Sequence, residues 1–364
     1  MKKILILCNS CIGLYKFRKE LLMELKNNQY DIYVSTPFDN LEIIRLLKEM
    51  KVQLIETKID RRGMNPLKDI ILLFNYLVIF FKVKPNIILT YTIKPNLYGG
   101  VIARFLNIPY IMNITGLGTA IEIKSNLQKI LLFLYKIVTK KCSMVFFQNK
   151  NNQDFFLQNI FPKNYKLIPG SGVNLQEYKL EKYPDDKIVK FLFVARIMKE
   201  KGIEFYLEVA KKIKIKYPNT EFHICGFCEE NYKEIIAELV NKKIVIYHGQ
   251  MNNMKGIYKK IHCIIHPTYY PEGISNVLLE ASATGRGVIT TNRPGCREVV
   301  DDNITGFLIR EKDIDDLYKK VEKFIQLNYE EKKKIGLQAR KKVENEFNRD
   351  IVVKAYIKVL KNLK

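Results

Sequence analysis

Short apolar runs recur along the chain, each followed by a stretch in which apolar residues return every three or four positions. In the first half the runs are Lys3–Cys8, Asp31–Ser35, Gln53–Ile59, Asn86–Thr92, Tyr110–Ile114, Met144–Gln148 and Lys166–Pro169. Their Ile, Val, Phe and Tyr content predicts strands, and stretches such as Lys16–Lys26 and Leu127–Lys140 predict helices between them. A second series begins at Lys190 with Phe191–Ala195, Glu221–Cys225, Ile244–Tyr247, Cys263–Pro267, Val288–Thr291 and Phe307–Ile309. Parallel strands need crossovers, and helices supply them, so the alternation predicts α/β architecture with parallel sheets covered on both faces. The seam is Pro169-Gly170-Ser171-Gly172, followed by a charged, unpatterned stretch to Lys187. Two doubly wound domains are expected, residues 1–172 and 173–349, with the helix 350–364 free to pack back on the first. Ligands of such sheets bind beyond the carboxyl ends of the strands, so two facing domains would enclose a cleft.

Length agrees with this division, since 364 residues suit two domains with a core each. Charge adds a partner class. The net charge is +23, of which residues 1–172 carry +14 and residues 173–364 carry +9. That excess points to a polyanion: nucleic acid, an anionic membrane surface or a phosphorylated substrate. Nucleic acid is set aside, because no zinc-finger spacing, RNA-recognition aromatic motif or helix-turn-helix is present. The longest apolar stretch, Ile70–Phe81, is far short of the roughly 20 residues that span a bilayer. No cleavable signal follows Met1, so a cytoplasmic chain with reduced thiols is expected. The pairs Cys8/Cys11 and Cys225/Cys228 have metal-like spacing but end apolar strands and lack further ligands, so they read as small buried hydrophobes. His262 and His266 share one strand without the glutamate of a zinc helix. Asp313-Ile314-Asp315 opens a helix and reads as N-terminal helix acids. No metal site and no cofactor are expected.

The chemistry concentrates in the second half. Arg196 closes the strand Phe191–Ala195, and Lys201-Gly202 opens the next helix, so both cations can enter one crevice and suit a diphosphate, a solvated surface pair being the alternative. After the strand Cys263–Pro267 comes Pro271-Glu272-Gly273-Ile274-Ser275-Asn276-Val277-Leu278-Leu279-Glu280. Gly273 permits a close approach of backbone to ligand, and Ser275 or Asn276 can cap a helix whose first amides face the crevice. Glu280, set among apolar residues, needs polar partners, which vicinal hydroxyls supply. A salt-bridged helix glutamate is the alternative.

Together these residues resemble the donor-site signature of the retaining glycosyltransferase family 4. The resemblance extends to Gly170-Ser171-Gly172-Val173-Asn174, Pro294-Gly295-Cys296-Arg297-Glu298-Val299-Val300 and Thr305-Gly306-Phe307-Leu308. In the first half it rests on Arg61 with Asn65-Pro66-Leu67, Lys94-Pro95-Asn96 and Thr115-Gly116-Leu117-Gly118. It is similar to the bacterial capsule, O-antigen and protein-glycan enzymes of that family. The resemblance implies the GT-B fold of two Rossmann-like domains, and transfer of a hexose or N-acetylhexosamine from a nucleotide sugar, UDP above all, to a polyprenyl-diphosphate-linked sugar. Residue by residue, it implies that Arg196 and Lys201 neutralise the donor diphosphate and that Glu272 meets the transferred sugar. Glu280 would hold the ribose, and Gly273, Ile274, Ser275 and Asn276 would offer amides to phosphate. Gly13 would let the N-terminal loop approach the same phosphate, and the base would rest near His248 and Gly249. Two positions depart from the family pattern. Tyr91-Thr92-Ile93-Lys94 stands where many members place a histidine, and Ser275 stands where proline is common.

On the acceptor side, Arg18, Arg61, Lys94, Gly116 and Gly118 are read as lying at or shortly after strand ends, where guanidinium forks could meet a phosphate. Arginines that merely tie loops together are the alternative. Helices Leu67–Phe81 and Leu127–Lys140, with Lys124, Lys129, Lys136, Lys140 and Lys141, read as a surface for anionic lipid, ordinary core packing with a solvated lysine face being the alternative. The enzyme would then work peripherally at the inner face of the cell membrane. Two further readings stay open: a nucleotide-sugar epimerase or hydrolase of the same fold, and an inactive member serving as an assembly partner.

Overall fold

In the computed structural model, residues 1–363 are described apart from 62, 64, 229–231 and 252, with Thr119 as backbone only. The chain forms two compact units, Met1–Ser171 with Arg349–Lys364, and Gly172–Asn348. Unit 1 holds β1 (Lys3–Leu7), β2 (Asp31–Thr36), β3 (Gln53–Glu56), β4 (Ile87–Tyr91), β5 (Tyr110–Ile114), β6 (Met144–Phe147) and β7 (Tyr165–Leu167). Unit 2 holds β8 (Val189–Val194), β9 (Thr220–Cys225), β10 (Ile246–Tyr247), β11 (Cys263–His266), β12 (Gly287–Thr291) and β13 (Gly306–Ile309). The sheet orders are β3-β2-β1-β4-β5-β6-β7 and β10-β9-β8-β11-β12-β13. Every pairing among these strands is parallel.

Burial on both faces explains why the strands read as unbroken apolar runs rather than alternating ones. In β1, Ile4 and Ile6 enter one core layer while Leu5 and Leu7 enter the other. Unit 2 repeats the arrangement, with Phe191 and Phe193 of β8 on one face and Leu192 on the other. The C-terminal helix Arg349–Asn362 completes unit 1, burying Val352, Ala355, Tyr356 and Leu360. Arg349 anchors its start through Glu20 (2.7 Å) and the Lys16 carbonyl (3.1 Å).

Several expected boundaries move, for local reasons. β3 stops at Glu56 rather than Ile59, its last tie being the Thr57 amide to the Thr36 carbonyl. β10 begins at Ile246 rather than Ile244, because the amides of Ile244 and Val245 both donate to Leu239 and finish the preceding helix. The first helix starts at Cys11, well before Lys16, with Ser10 accepting from the Gly13 amide (3.2 Å). Gly13 is therefore the third residue of a helix, not part of a loop.

The strand orders fix where ligands can sit. In unit 2 the chain leaves β8 toward β9 on one side, whereas β11 lies on the other. The loops after β8 and β11 diverge from this switch point and open a crevice between them. In unit 1 the corresponding pair is β1 and β4.

Candidate active site

Arg196 and Lys201 occupy the loop after β8. Lys201 ends a short 3₁₀ turn, Lys199–Lys201, and Gly202 follows with φ 79° before the helix Ile203–Lys216. A β-carbon on Gly202 would stand 2.2 Å from the Pro267 carbonyl oxygen, so glycine alone lets the turn press against the end of β11. The Glu200 carbonyl joins the two loops, accepting from the Tyr269 amide (2.9 Å) and the Thr268 hydroxyl (3.2 Å).

This brace brings both cations to one aromatic ring. The Arg196 guanidinium lies 5.4 Å and the Lys201 ammonium 4.7 Å from the centre of Tyr270, within cation–π range. The Lys201 Nζ also donates to Glu272 Oε1, the two side chains being only 12% and 13% exposed. Burial by itself would raise the Glu272 carboxyl. The charge of Lys201 and the His266 ring outweigh it and hold the group well below the usual carboxylate range. His266 Nε2 stands 3.6 Å from Glu272 Oε1 and 3.3 Å from the Ser275 hydroxyl.

Glu272 lies in the loop before the helix Asn276–Ala283, and Glu280 lies within that helix. Ser275 is the N-cap by position, with φ −73° and ψ 109°, yet its side chain makes no capping bond. The hydroxyl is turned toward His266 instead, and the Ser275 amide donates to the Gly295 carbonyl (2.8 Å). Gly295, at φ 91°, presses against the backbone of Glu272 and Gly273, where a β-carbon would meet the Gly273 carbonyl at 2.6 Å. The Pro294–Val300 motif is thus a brace for the Glu272 loop. Asn276 Oδ1 is buried with no partner among the described residues. A helix start without a side-chain cap leaves amides that suit an anion, whereas the buried Asn276 oxygen suits a hydrogen-bond donor. Further along that helix, Glu280 Oε2 accepts from the buried Tyr258 hydroxyl (3.1 Å). Burial and the Glu280 charge hold that phenol far above its ordinary value, so it stays a donor.

His248 and Gly249 form a neighbouring group beyond β9 and β10. The His248 ring stacks on His223 at 5.2 Å, with His223 Nδ1 2.9 Å from His248 Nε2. Burial lowers both histidines, aided by His248 for His223 and by Lys260 for His248. Gly249 accepts from the Gly226 amide (2.9 Å).

In unit 1, Lys94 adjoins the Arg61 loop through the Gly63 carbonyl, and Gly118 adjoins Ile93. Arg61 donates to the Asn9 carbonyl (2.6 Å) and pairs with Asp39, which also accepts from the Ser10 hydroxyl and the Cys11 amide and thiol. Arg18 corrects the expectation of a strand-end residue. It lies within the first helix, 5% exposed and 5.0 Å from the Tyr91 ring, with Nε lacking a partner among the described residues. Lys94, after β4, donates to Asp69 (2.6 Å) and the Gly63 carbonyl (2.9 Å). Gly116 and Gly118 follow β5 with φ 147° and 70°. At Gly13 a β-carbon would meet only Ser10, at 3.6 Å, so packing within the unit does not require glycine there.

The cysteines are free, and all but the half-buried Cys228 are buried. His262 is bonded to the Lys190 amide and the Asp185 carbonyl, and Asp313 caps its helix by accepting from Asp316. Sequence reasoning missed Tyr270, His266, Tyr258 and Asp39. Tyr270 and Asp39 lie in loops that follow strands, the position that singled out the cations. His266 ends β11, six residues before Glu272.

Two doubly wound parallel-sheet units make the GT-B architecture, and the comparisons give the class of protein within it. Residues 176–342 match the group 1 glycosyl transferases and residues 3–149 match the glycosyl transferase 4-like domain. The chain belongs to this glycosyltransferase family. It is 25% identical, over 99% of its length and 100% of the relative's, to the N,N'-diacetylbacillosaminyl-diphospho-undecaprenol alpha-1,3-N-acetylgalactosaminyltransferase of Campylobacter jejuni. It is 26% identical to the capsular polysaccharide biosynthesis glycosyltransferase CapM of Staphylococcus aureus, with 80% of each chain covered. Among solved structures, Anabaena HepE in complex with UDP and glucose shares the fold at TM-score 0.81 and 15% identity, with 100% of both chains covered. A glycosyltransferase from Rickettsia africae shares it at TM-score 0.80 and 20% identity, covering 100% of this chain and 98% of that one.

Proposed function

We propose that this protein moves a hexose or N-acetylhexosamine from UDP to a sugar carried on a polyprenyl diphosphate, with retention and without a bound metal. The observation that carries the reading is the group Arg196, Lys201, Tyr270 and Glu272 beside the uncapped start of Asn276–Ala283. Breaking the sugar–phosphate bond puts charge on the departing diphosphate while the sugar gains oxocarbenium character. Two preorganised cations and a row of helix amides stabilise that charge without reorganising. Glu272, kept ionised, faces the electron-poor sugar, and Glu280 with Tyr258 suits the ribose hydroxyls. The retaining course is a same-face attack by the acceptor hydroxyl. The relatives' names support the acceptor, because the Campylobacter enzyme acts on a diphospho-undecaprenol-linked sugar and an Escherichia coli relative, 27% identical over 70% of the chain, is named for UDP-Gal.

Unit 1 would hold the acceptor through Arg61, Lys94 and the Gly116–Gly118 loop, and its lysine-bearing helices would rest on anionic lipid. No described helix is long and apolar enough to cross a membrane. The test is incubation with labelled UDP-sugars, with and without a polyprenyl-diphosphate-linked sugar, followed by the anomeric configuration of the product. Transfer that needs the lipid acceptor, retains configuration and survives EDTA is expected. Label released to water or returned as an epimer overturns the transfer reading, and a loss restored by divalent cation overturns the metal-free one.

A further inference from the structure

The helix Pro66–Val83 is apolar on two sides. Leu72, Tyr76, Ile79, Phe80 and Val83 enter the core, while Leu67, Ile70, Ile71, Phe74, Val78 and Phe81 are each 50–69% exposed. The exposed six recur at steps of three and four and so form one stripe. Beside the stripe runs an open groove of about 930 Å³ between this helix and the edge strand β3 with its following segment, in the size range of ligand clefts. Ile55, Ile59, Ile71, Leu72, Val78 and Ile79 line it, with Asn75 midway. Its charged lining is balanced in sign: Asp60 pairs with Lys68 at 3.2 Å and Asp69 with Lys94 at 2.6 Å, and Glu56 and Lys58 add one charge of each sign. Six aliphatic side chains with charges of balanced sign around them suit hydrocarbon better than phosphate.

We propose that this groove holds the first part of the acceptor's polyprenyl chain. The inference rests on the acceptor being a lipid diphosphate, as proposed above. One end of the groove lies at Asp69, bonded to the acceptor candidate Lys94. From Asp69 to Val78 the helix advances about 14 Å, and there the groove opens onto the exposed stripe. A chain whose phosphates sit near Lys94 would therefore run along the groove and leave over Val78 and Phe81 toward the bilayer.

The test uses calorimetry of the full chain without vesicles, with isopentenyl, geranyl and farnesyl diphosphate as probes. Affinity should rise with tail length by about tenfold, the equivalent of roughly two buried methylene groups. Val78→Glu, which puts a charge in the groove, and Asn75→Trp, which fills it, change exposed positions. Both should erase the length preference while leaving isopentenyl diphosphate and UDP binding unchanged. No preference in the unaltered protein, or a preference that persists in both variants, overturns the proposal. So does loss of binding to phosphatidylcholine vesicles in the variants with the length preference intact, which would make the face a bilayer surface only. Length preference without sugar transfer to any prenyl-diphosphate acceptor would instead overturn the functional reading and leave the groove standing.

Discussion

Replacing Lys201 with alanine tests the centre of the site through stability as well as activity. Glu272 is about nine-tenths buried, and its charge is sustained by the Lys201 ammonium, with His266 at 3.6 Å as the weaker neighbour. Removing one member of a buried pair strands the other, at about 3–5 kcal/mol. The pH dependence should change sign as well. In the unaltered protein the Glu272 pKa is depressed, so its stabilisation is present above the ordinary carboxylate value of 4.5 and lost as pH falls below it. Without Lys201, burial is largely unopposed and the pKa rises above that value. The variant should then be penalised near neutrality and relieved as acid protonates the stranded carboxyl.

Urea unfolding between pH 4 and pH 8 reads this directly. The deficit of Lys201→Ala should be greatest above pH 6 and shrink toward pH 4. Lys201→Ala with Glu272→Gln should recover most of it at pH 7, because no buried charge remains. A single variant that costs under about 1 kcal/mol and shows no pH-dependent deficit would refute the reasoning, since the pair would then behave as a solvated surface contact. Both variants should lose more than tenfold in transfer rate at saturating donor, the equivalent of one charge-assisted contact to the diphosphate.

Other outcomes follow from separate parts of the molecule. Burial lowers His262 from 6.5 to about 4, so below pH 6.5 the unfolded chain binds a proton that the folded one refuses. Stability should fall by up to about 3 kcal/mol between pH 6.5 and pH 4, and His262→Gln should flatten that part of the curve in urea titrations. Gly202→Ala, with a β-carbon 2.2 Å from the Pro267 carbonyl at φ 79°, should lower the melting temperature and weaken UDP binding by calorimetry, because Lys201 is its neighbour. Arg61→Ala should raise KM for a diphosphate-linked acceptor without changing UDP affinity. An equal rise for a phosphate-free acceptor would make the Asp39–Arg61 pair a loop tie.

The fold was legible because buried parallel strands announce themselves as apolar runs, and the grouping of Arg196, Lys201 and Glu272 was legible because strand ends locate a crevice. What escaped the sequence was either long in range or ambiguous in type. Tyr258 reaches Glu280 from 22 positions away, and no spacing rule connects them. Arg18 looked like a strand-end cation, but a helix that begins at Cys11 turns it inward over Tyr91. Ser10, a good N-cap, was the available signal for that start, and the Cys8/Cys11 pair with Gly13 disguised it as a loop. His266 shows in the sequence only its metal-like spacing from His262, whereas its neighbours in the fold, Glu272 and Ser275, follow it by six and nine positions through an irregular loop.

The unfavourable local features of this part of unit 2 share a location, and that bears on why they persist. Ser275 forgoes its cap, which ordinarily contributes about 1 kcal/mol, because His266 takes its hydroxyl. Asn276 Oδ1 is buried without a partner among the described residues, a loss of about 1–3 kcal/mol, and Gly202 and Gly295 hold left-handed conformations that bring the turn of one loop and the brace of the other into backbone contact. All four lie in or directly against the loops that follow β8 and β11, while β11 beneath is buried throughout and β8 is buried at four of its six positions. A rigid sheet can hold its loops in such states, and an anion that accepts from the helix amides while a hydroxyl donates to Asn276 would satisfy the groups left open. Glu272 fits the same logic: its carboxylate needs Lys201 when no ligand is bound, and a diphosphate brought to Lys201 would compete for that ammonium and turn Glu272 toward the sugar. The site is thus least satisfied where the proposed donor would satisfy it most.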